Sequence, residues 1–388
     1  MKKGILLVAS LNSFHGNVLP ENFKKMYEER VGLEILGKSG LKVVLNCHGI
    51  DFLMYPWLEE LVSRSKNLQL TGGLFSHIIA PLFSKEYIDW QHRIAYVTLS
   101  SIRPSIPISF YPEFCNPEKP KSNFWLLDSQ SHYYSYSEES GMVSWENEAE
   151  INAPAISFNG RIGLVMKEKA YRPILEAFFL AQRLPDVINN GQSNLDALID
   201  QIANVQEVVL CPLDLEAPYV GSHLGQIFWQ KFVARIKERG LENLFLDFNE
   251  VFDYLSAQAV PTKDAPHRNL MKWTSLPATF NIYSRLSLRS RQPLSYQQKL
   301  LLAIAGGADI AAAIYQKSSK KMVRPAMLPN GVNSTISVSG SKEIIDATYL
   351  ALNCLEKNES FAKKLEMSGR NKGFFWQQLI TVANRLKI

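Results

Sequence analysis

The chain has 388 residues, of which 46% are hydrophobic and 20% charged, with 21 glycines, 19 prolines and a formal net charge of +5. These values are those of an ordinary globular protein, and they exclude disorder, collagen and coiled coil as descriptions of the whole chain. The length exceeds one average domain and suits one large α/β barrel or two smaller units.

The first part of the chain predicts a series of buried β-strands. Gly4–Ser10 and Leu41–Cys47 are short, nearly continuous apolar runs, which is the pattern of strands covered on both faces. Runs of the same kind recur along the chain at Leu68–Leu70, Ile106–Tyr111, Phe124–Leu127, Ile162–Met166, Val208–Cys211 and Leu244–Phe248.

Amphipathic stretches lie between these runs and predict helices. Pro56–Ser65 has proline at the first helical position, and His223–Arg239 carries an apolar stripe and is followed by Gly240, which favours a helix end. Two further helices are predicted at Lys85–Ser101 and Pro173–Leu184. Alternating strands and helices predict a parallel sheet, either open or closed into a barrel.

The strand pattern ends after about Leu288. The remaining periodic segments predict helices, with Ser295 and Ser341 as N-caps, at Ser295–Gln316, Ser341–Lys357 and Phe374–Leu386. We therefore expect a barrel-type part over residues 1–288 and a C-terminal helical region over residues 289–388. The polar, aromatic segment Ser129–Ala153 is expected to form a surface insertion or a lid.

Targeting and metal signals are weak. The 4 cysteines lie far apart without a CxxC pair, so neither a zinc ribbon nor a disulfide framework is indicated. The N-terminal apolar run is short for a signal peptide, and no segment approaches the ~20 apolar residues of a membrane helix. The basic tail from Tyr315 is expected to be a solvated face. We expect a cytoplasmic protein that binds neither membranes nor nucleic acid; the sequence leaves its oligomeric state open.

Polar side chains follow six of the strand candidates. Because parallel strands deliver their carboxyl ends to one edge, these residues are expected to lie together. A single histidine there is more often a loop residue, and a single carboxylate more often an N-cap, but clustering so many is costly without a task. In chain order they are His15, His48, Asp51, His77, Glu113, Asp128, Asp214 and Glu216.

Paired carboxylates with aromatic neighbours indicate glycoside chemistry. One carboxylate attacks or stabilises the sugar centre while the other, protonated, delivers a proton to the leaving oxygen. Aromatic side chains stack on sugar faces, although core packing explains such residues equally well. The candidates are Trp57, Tyr111, Phe114, Tyr219 and Trp273.

Four segments carry a resemblance to a known family. Leu41–Phe83 has the order GG, then SH, then PL; Ile106–Asp128 has PE after a strand and then LLDS; Asp214-Leu215-Glu216 precedes Gly221; and Leu300–Asp309 reads LLLAIAGGAD. Together they resemble glycoside hydrolase family 57, whose members act on α-glucans and fold as incomplete (β/α)7 barrels. The resemblance spans about Gly4–Tyr315.

The resemblance implies roles for individual residues. Glu113 matches the catalytic nucleophile and Asp214 the general acid/base, while Glu216 would tune or orient Asp214. The family retains anomeric configuration, so the two catalytic carboxyls are expected ~5–5.5 Å apart. No metal or organic cofactor is implied, and an oligosaccharide or polysaccharide is the expected substrate. The residues expected to contact it are His15, His48, Asp51, His77, Tyr111, Asp128, Glu216, Trp273 and Asp309.

Two alternatives remain open at this point. The first-strand motif, Ser13 to Asn17, keeps one histidine where the family has His-x-His, which favours a non-catalytic carbohydrate-binding barrel. A metal-dependent polysaccharide deacetylase would instead use His15, His48 and His77 as ligands. Within the leading reading, hydrolysis and transglycosylation are not distinguished, because the outcome depends on how the acceptor side excludes water.

Overall fold

The computed structural model describes part of the chain. It covers residues 2–11, 25–76, 78, 83–99, 102, 106–110, 124–126, 155–158, 161–164, 168–183, 193–219, 224–252, 257–259, 277–305, 374–386 and most positions between 350 and 364.

The described strands form a nine-stranded sheet in the order β8-β1-β2-β3-β4-β5-β7-β6-β9. Seven of them, from β8 through β7 in that order, run parallel to their neighbours, whereas β6 is antiparallel to β7. The strands are β1 Gly4–Ser10, β2 Val43–Asn46, β3 Leu68–Gly72, β4 Ile106–Phe110, β5 Phe124–Leu126, β6 Ala155–Phe158, β7 Arg161–Leu164, β8 Val208–Asp214 and β9 Ala257–Ala259.

This architecture confirms the predicted parallel sheet. The residues Ile5 to Ala9 of β1 and the whole of β2 are buried, as the continuous apolar runs predicted. Edge strands β8 and β9 are not joined to each other by any pairing among the described residues, so closure into a barrel stays a prediction.

Helices connect and cover the strands. They are α1 Leu33–Ser39, α2 Gly49–Met54, α3 Pro56–Arg64, α4 Lys85–Thr98, α5 Glu168–Arg183, α6 Asn194–Ala203, α7 Gln226–Glu238, α8 Phe248–Phe252, α9 Pro277–Ser290, α10 Tyr296–Ala305 and α11 Phe374–Arg385. The helices predicted from Pro56, Lys85 and His223 are confirmed with shifted ends, whereas the one predicted from Pro173 begins earlier, at Glu168. None of the described helices combines the length and apolarity needed to cross a membrane.

The predicted strand Leu244–Phe248 is wrong. Leu244 ends a short 3₁₀ turn, and Phe245 makes a single bridge to Ile5. A helix then starts at Phe248 because Asp247 and Glu250 cap it reciprocally: the Asp247 amide donates to Glu250 Oε2 and the Glu250 amide to Asp247 Oδ1, both at 2.8 Å. The apolar run alone did not distinguish a strand from this capped turn.

Strand β8 is longer than predicted, because it continues past Cys211 through Pro212 to Asp214. Pro212 is tolerated because β8 lies at the edge of the described sheet and its nitrogen need not donate to a neighbour. The extension places Asp214 within the strand, in register with Ser10 of β1. Its position at the sheet edge is therefore set by backbone pairing and not by a loop.

The C-terminal helices pack against the helical layer. Ser295 caps α10, since the Gln298 amide donates to Ser295 Oγ at 3.2 Å, as predicted. Helix α11 packs on α2 and α4, and α10 packs on α4. Ser341 lies outside the described residues, and the division of the chain at residue 288 stays a prediction.

Candidate active site at the carboxyl edge of the sheet

The predicted site residues divide into two groups. Four of them, His48, Asp51, Asp214 and Glu216, are described. The segment Ser129–Ala153 lies outside the described residues, as do His15, His77, Tyr111, Glu113, Asp128, Trp273 and Asp309. The separation of the Glu113 and Asp214 carboxyls therefore stays a prediction.

The sheet topology places the strands that precede Glu113 and Asp214 in one orientation. Strand β4 ends at Phe110, shortly before Glu113, and β8 ends at Asp214. All strands from β8 to β4 run parallel, so the carboxyl ends of β4 and β8 share one edge of the sheet. Strand β5, which precedes Asp128, ends at the same edge.

Asp214 is the exposed end of β8. It is the register partner of Ser10, and the amide of Leu215 donates to the Ser10 carbonyl at 3.0 Å, which continues the parallel pairing by one step. The side chain of Asp214 is solvent-exposed although the residues on both sides of it are buried or half-buried. A carboxylate held on a paired strand with an open face has the rigidity and access that proton transfer requires.

Glu216 differs from Asp214 in its environment. It is completely buried, and its carbonyl accepts a hydrogen bond of 2.8 Å from the Tyr219 amide, which forms the 3₁₀ turn Ala217–Tyr219. Of the two acidic residues Asp214 and Glu216, Asp214 alone is exposed to solvent. The roles of Asp214 as general acid/base and of Glu216 as the residue that tunes or orients it stay predictions.

Glu29 links the loop after β8 to the chain that follows β1. Its Oε2 atom accepts a hydrogen bond of 2.7 Å from the amide of Gln226, the first residue of α7, and Lys25 Nζ lies 3.9 Å from Oε1. Burial raises the pKa of Tyr219, and the neighbouring Glu29 carboxylate raises that pKa further. Carboxylates are favoured at helix N-termini, so the Glu29 carboxylate stabilises the start of α7, which follows the β8 loop.

His48 and Asp51 shape the turn after β2. The His48 amide donates to Asp51 Oδ2 at 2.7 Å, which caps helix α2, and both side chains are buried. His48 Nδ1 lies 3.8 Å from the same oxygen. The capping role that the sequence left open for a carboxylate is thus realised by Asp51, and contact of these two residues with substrate stays a prediction.

Two of the aromatic candidates are core residues. Trp57 and Tyr219 are 9% and 1% exposed, and Trp57 packs on Tyr55 with ring centroids 5.0 Å apart. Core packing is therefore the better explanation for both. Tyr111, Phe114 and Trp273 lie outside the described residues.

The sequence reasoning missed three polar residues at this edge, Ser10, Asn46 and Thr71. They occur at or near the ends of β1, β2 and β3 and are joined by side-chain hydrogen bonds, with Asn46 Nδ2 donating to Ser10 Oγ at 3.3 Å and Thr71 Oγ1 donating to Asn46 Oδ1 at 3.2 Å. The signal was a polar residue at the end of an otherwise apolar run. That signal is weak, because a single polar residue at the end of a strand is equally typical of the turn that follows it.

A metal site is not formed by the residues described. Within the described ranges, no group of three or more His, Cys, Asp or Glu side chains is arranged to hold a metal ion. The three-histidine arrangement of the deacetylase alternative includes His15 and His77, which the structure does not describe.

Known structures share this fold. The chain matches a GH57 branching enzyme from Thermococcus kodakaraensis with a TM-score of 0.53 and 10% identity, over 99% of this chain and 94% of that one. It matches the α-amylase AmyC from Thermotoga maritima with a TM-score of 0.51 and 11% identity, over 100% and 97%. These likenesses establish a fold similar to that of GH57 enzymes.

Other comparisons are weaker. A 4-α-glucanotransferase from Thermococcus litoralis aligns with a TM-score of 0.44 and 14% identity, and this chain, aligned over 98% of its residues, spans 57% of that protein. No family model and no curated protein matches the sequence.

Proposed function

We propose that the protein is a retaining enzyme that acts on α-linked glucans by double displacement. The observation that carries this proposal is the exposed carboxylate of Asp214 at the carboxyl end of β8, on the edge where β4 also ends just before Glu113. The fold that holds them is similar to that of a GH57 branching enzyme and an α-amylase. Fold alone does not define a reaction, so the proposal depends on the site.

The proposed roles follow from the chemistry of acetal cleavage. Glu113, as a carboxylate, attacks the anomeric carbon and forms a glycosyl-enzyme ester, while Asp214 donates its proton to the departing glycosidic oxygen. Asp214 then removes a proton from the incoming water or sugar hydroxyl, which attacks the ester and releases Glu113. This sequence needs a solvent-accessible acid/base, which Asp214 provides and the buried Glu216 does not.

The acceptor determines whether the enzyme hydrolyses or transfers. Water gives shorter products, whereas the hydroxyl of a second glucan gives longer or branched ones. Incubation of the purified protein with a series of maltooligosaccharides, followed by product sizing, distinguishes the two. The Glu113→Gln and Asp214→Asn variants serve as controls, and full activity in either would contradict the assigned mechanism.

A carbohydrate-binding protein without turnover is the second candidate, favoured by the altered first-strand motif Ser13 to Asn17. Binding of maltooligosaccharides by calorimetry, without any product after prolonged incubation, would support this candidate. In that case Asp214→Asn would change affinity only.

A further inference from the structure

Four polar residues form one row across the carboxyl edge of the sheet. Asp214 of β8 pairs with Ser10 of β1, Ser10 pairs with Asn46 of β2, and Thr71 of β3 follows Leu70, which pairs with Leu45. Side chains at one register position of a parallel sheet point to the same face. The hydrogen bonds from Thr71 to Asn46 and from Asn46 to Ser10 confirm a shared face for three of the four.

The hydrogen bonds along this row have one direction. Thr71 Oγ1 donates to Asn46 Oδ1, and Asn46 Nδ2 donates to Ser10 Oγ. Thr71 and Asn46 are 0% and 2% exposed, so these polar groups are satisfied inside the protein and held in place. The chain of donors therefore ends at the Ser10 hydroxyl, which accepts from Asn46 and keeps its own proton to donate.

The Ser10 hydroxyl has no acceptor for that proton among the residues that the structure describes. Ser10 is half-buried as a residue, whereas Asn46 and Thr71 are almost completely buried. Adjacent strands are ~4.8 Å apart, so the hydroxyl lies next to the strand that carries the exposed Asp214 carboxylate. The Ser10 oxygen is held by the hydrogen bond from Asn46, and its proton has no acceptor among the described residues. Such a hydroxyl is suited to donating a hydrogen bond to an oxygen of a ligand.

We propose that Ser10 donates a hydrogen bond to a hydroxyl of the sugar unit bound beside Asp214, and that Asn46 and Thr71 position it for this contact. The inference rests on the proposed glucan activity and extends it by a substrate-contacting residue. A site built to hydrogen-bond a substrate hydroxyl discriminates against substrates that lack it, because the site's polar groups are then left unsatisfied. Ser10 would thereby contribute to recognition of the sugar.

The test combines variants with modified substrates. The rate constant kcat/KM is measured for wild type, Ser10→Ala and Thr71→Val on a maltooligosaccharide and on analogues that each lack one hydroxyl in the sugar units flanking the scissile bond. Ser63→Ala and Thr98→Val are matched controls, because their hydroxyls donate to helix carbonyls far from the edge, those of Glu59 and Ile94.

On the parent substrate, Ser10→Ala is expected to lower kcat/KM about fivefold, the scale of one neutral hydrogen bond. On the one analogue that lacks the hydroxyl bound by Ser10, Ser10→Ala is expected to leave kcat/KM unchanged relative to wild type, because the partner of the hydrogen bond is already absent. Thr71→Val is expected to show a smaller loss with the same dependence on substrate. Both control variants are expected to match wild type on every substrate.

Different failures have different meanings. If the wild-type protein turns over no glucan, both the proposed function and the proposed Ser10 contact are refuted. If wild type is active but Ser10→Ala equals it, or loses the same factor on every substrate, the Ser10 contact alone is refuted. Thermal unfolding of each variant identifies losses of activity that come from misfolding. If Ser10→Ala does not fold, Thr71→Val, which keeps the side-chain volume, tests whether the hydrogen bonds from Thr71 through Asn46 to Ser10 affect kcat/KM.

Discussion

The Glu29 carboxylate accepts a hydrogen bond from the Gln226 amide at 2.7 Å, and this contact joins parts of the chain 197 positions apart. Glu29 follows the segment that leads from β1, and Gln226 begins the helix after the β8 loop. The loop that carries Glu216 is thus held from both sides, by the pairing of β8 with β1 and by Glu29 at the start of α7.

Gly225, next to this contact, is expected to tolerate no side chain. Its φ is +55°, and a Cβ atom there would lie 2.5 Å from Glu29 Oε2. Gly225→Ala should lower the free energy of unfolding by about 2–3 kcal/mol through backbone strain and displacement of Glu29. Urea unfolding measures the change.

The matched control for Gly225 is at the other end of the same helix. Gly240 also has a positive φ, +62°, but a Cβ there would meet nothing within 4 Å. Gly240→Ala should therefore cost only the strain of a left-handed residue, about 1 kcal/mol. Equal losses in the two variants would show that the clash with Glu29 adds nothing.

Asp214 and Glu216 are expected to respond differently to a substrate that needs no acid catalysis. Asp214→Asn should lower kcat/KM for maltooligosaccharides at least ~10³-fold but lower kcat/KM for an α-glycosyl fluoride much less, since fluoride leaves without a proton and kcat/KM reports the step that forms the glycosyl-enzyme. Glu216→Gln, which alters a buried group, should affect both substrates by similar factors. Steady-state kinetics with both substrates tests this, and equal losses for Asp214→Asn would contradict its role as the acid.

Asp51 is expected to act on stability more than on activity. Asp51→Ala removes the acceptor of the His48 amide and should lower the free energy of unfolding by about 1–2 kcal/mol. KM for a maltooligosaccharide should stay unchanged for the folded fraction. A large rise in KM at unchanged stability would instead support the predicted contact of Asp51 with substrate.

Alkaline pH should destabilise the protein through Cys211. Burial raises the pKa of this thiol from its ordinary range to about 12. Above about pH 9 the unfolded chain releases the proton while the folded protein keeps it, so the free energy of unfolding falls as pH rises, and the loss is complete only near the folded pKa. The contribution approaches ~1.4 kcal/mol per pH unit.

The Cys211→Ala variant isolates this contribution. Although less stable at pH 7 because it loses packing in the core, it should show a shallower fall in stability between pH 9 and pH 11 than wild type. Urea midpoints measured across that range give both slopes. Identical slopes would mean that the Cys211 thiol ionises as easily in the folded protein as in the unfolded chain.

The parallel sheet could be predicted from the sequence, because buried strands leave continuous apolar runs that are visible locally. The end of β1 at Ser10 and the capped start of α10 at Ser295 were also local signals. The strand predicted at Leu244–Phe248 failed for the opposite reason, since an apolar run does not reveal the reciprocal capping of Asp247 and Glu250 that starts a helix there.

The predicted approach of Glu113 to Asp214 would depend on curvature of the sheet and not on sequence pattern. Three strands separate β4 from β8, so along a flat sheet their ends would be about 19 Å apart, far more than a retaining mechanism allows. Only a sheet that curves toward closure brings such residues together.

The sequence by itself determined where seven of the nine described strands lie, that most of them run parallel, and which acidic and histidine residues follow their ends, because each of these depends on residues close together in the chain. The tertiary structure decided that Asp214 is exposed while Glu216 is buried, and that Ser10, Asn46 and Thr71 form one hydrogen-bonded row beside Asp214. The exposure of individual polar side chains and the strand register are set by packing between segments distant in sequence, and no local pattern records them.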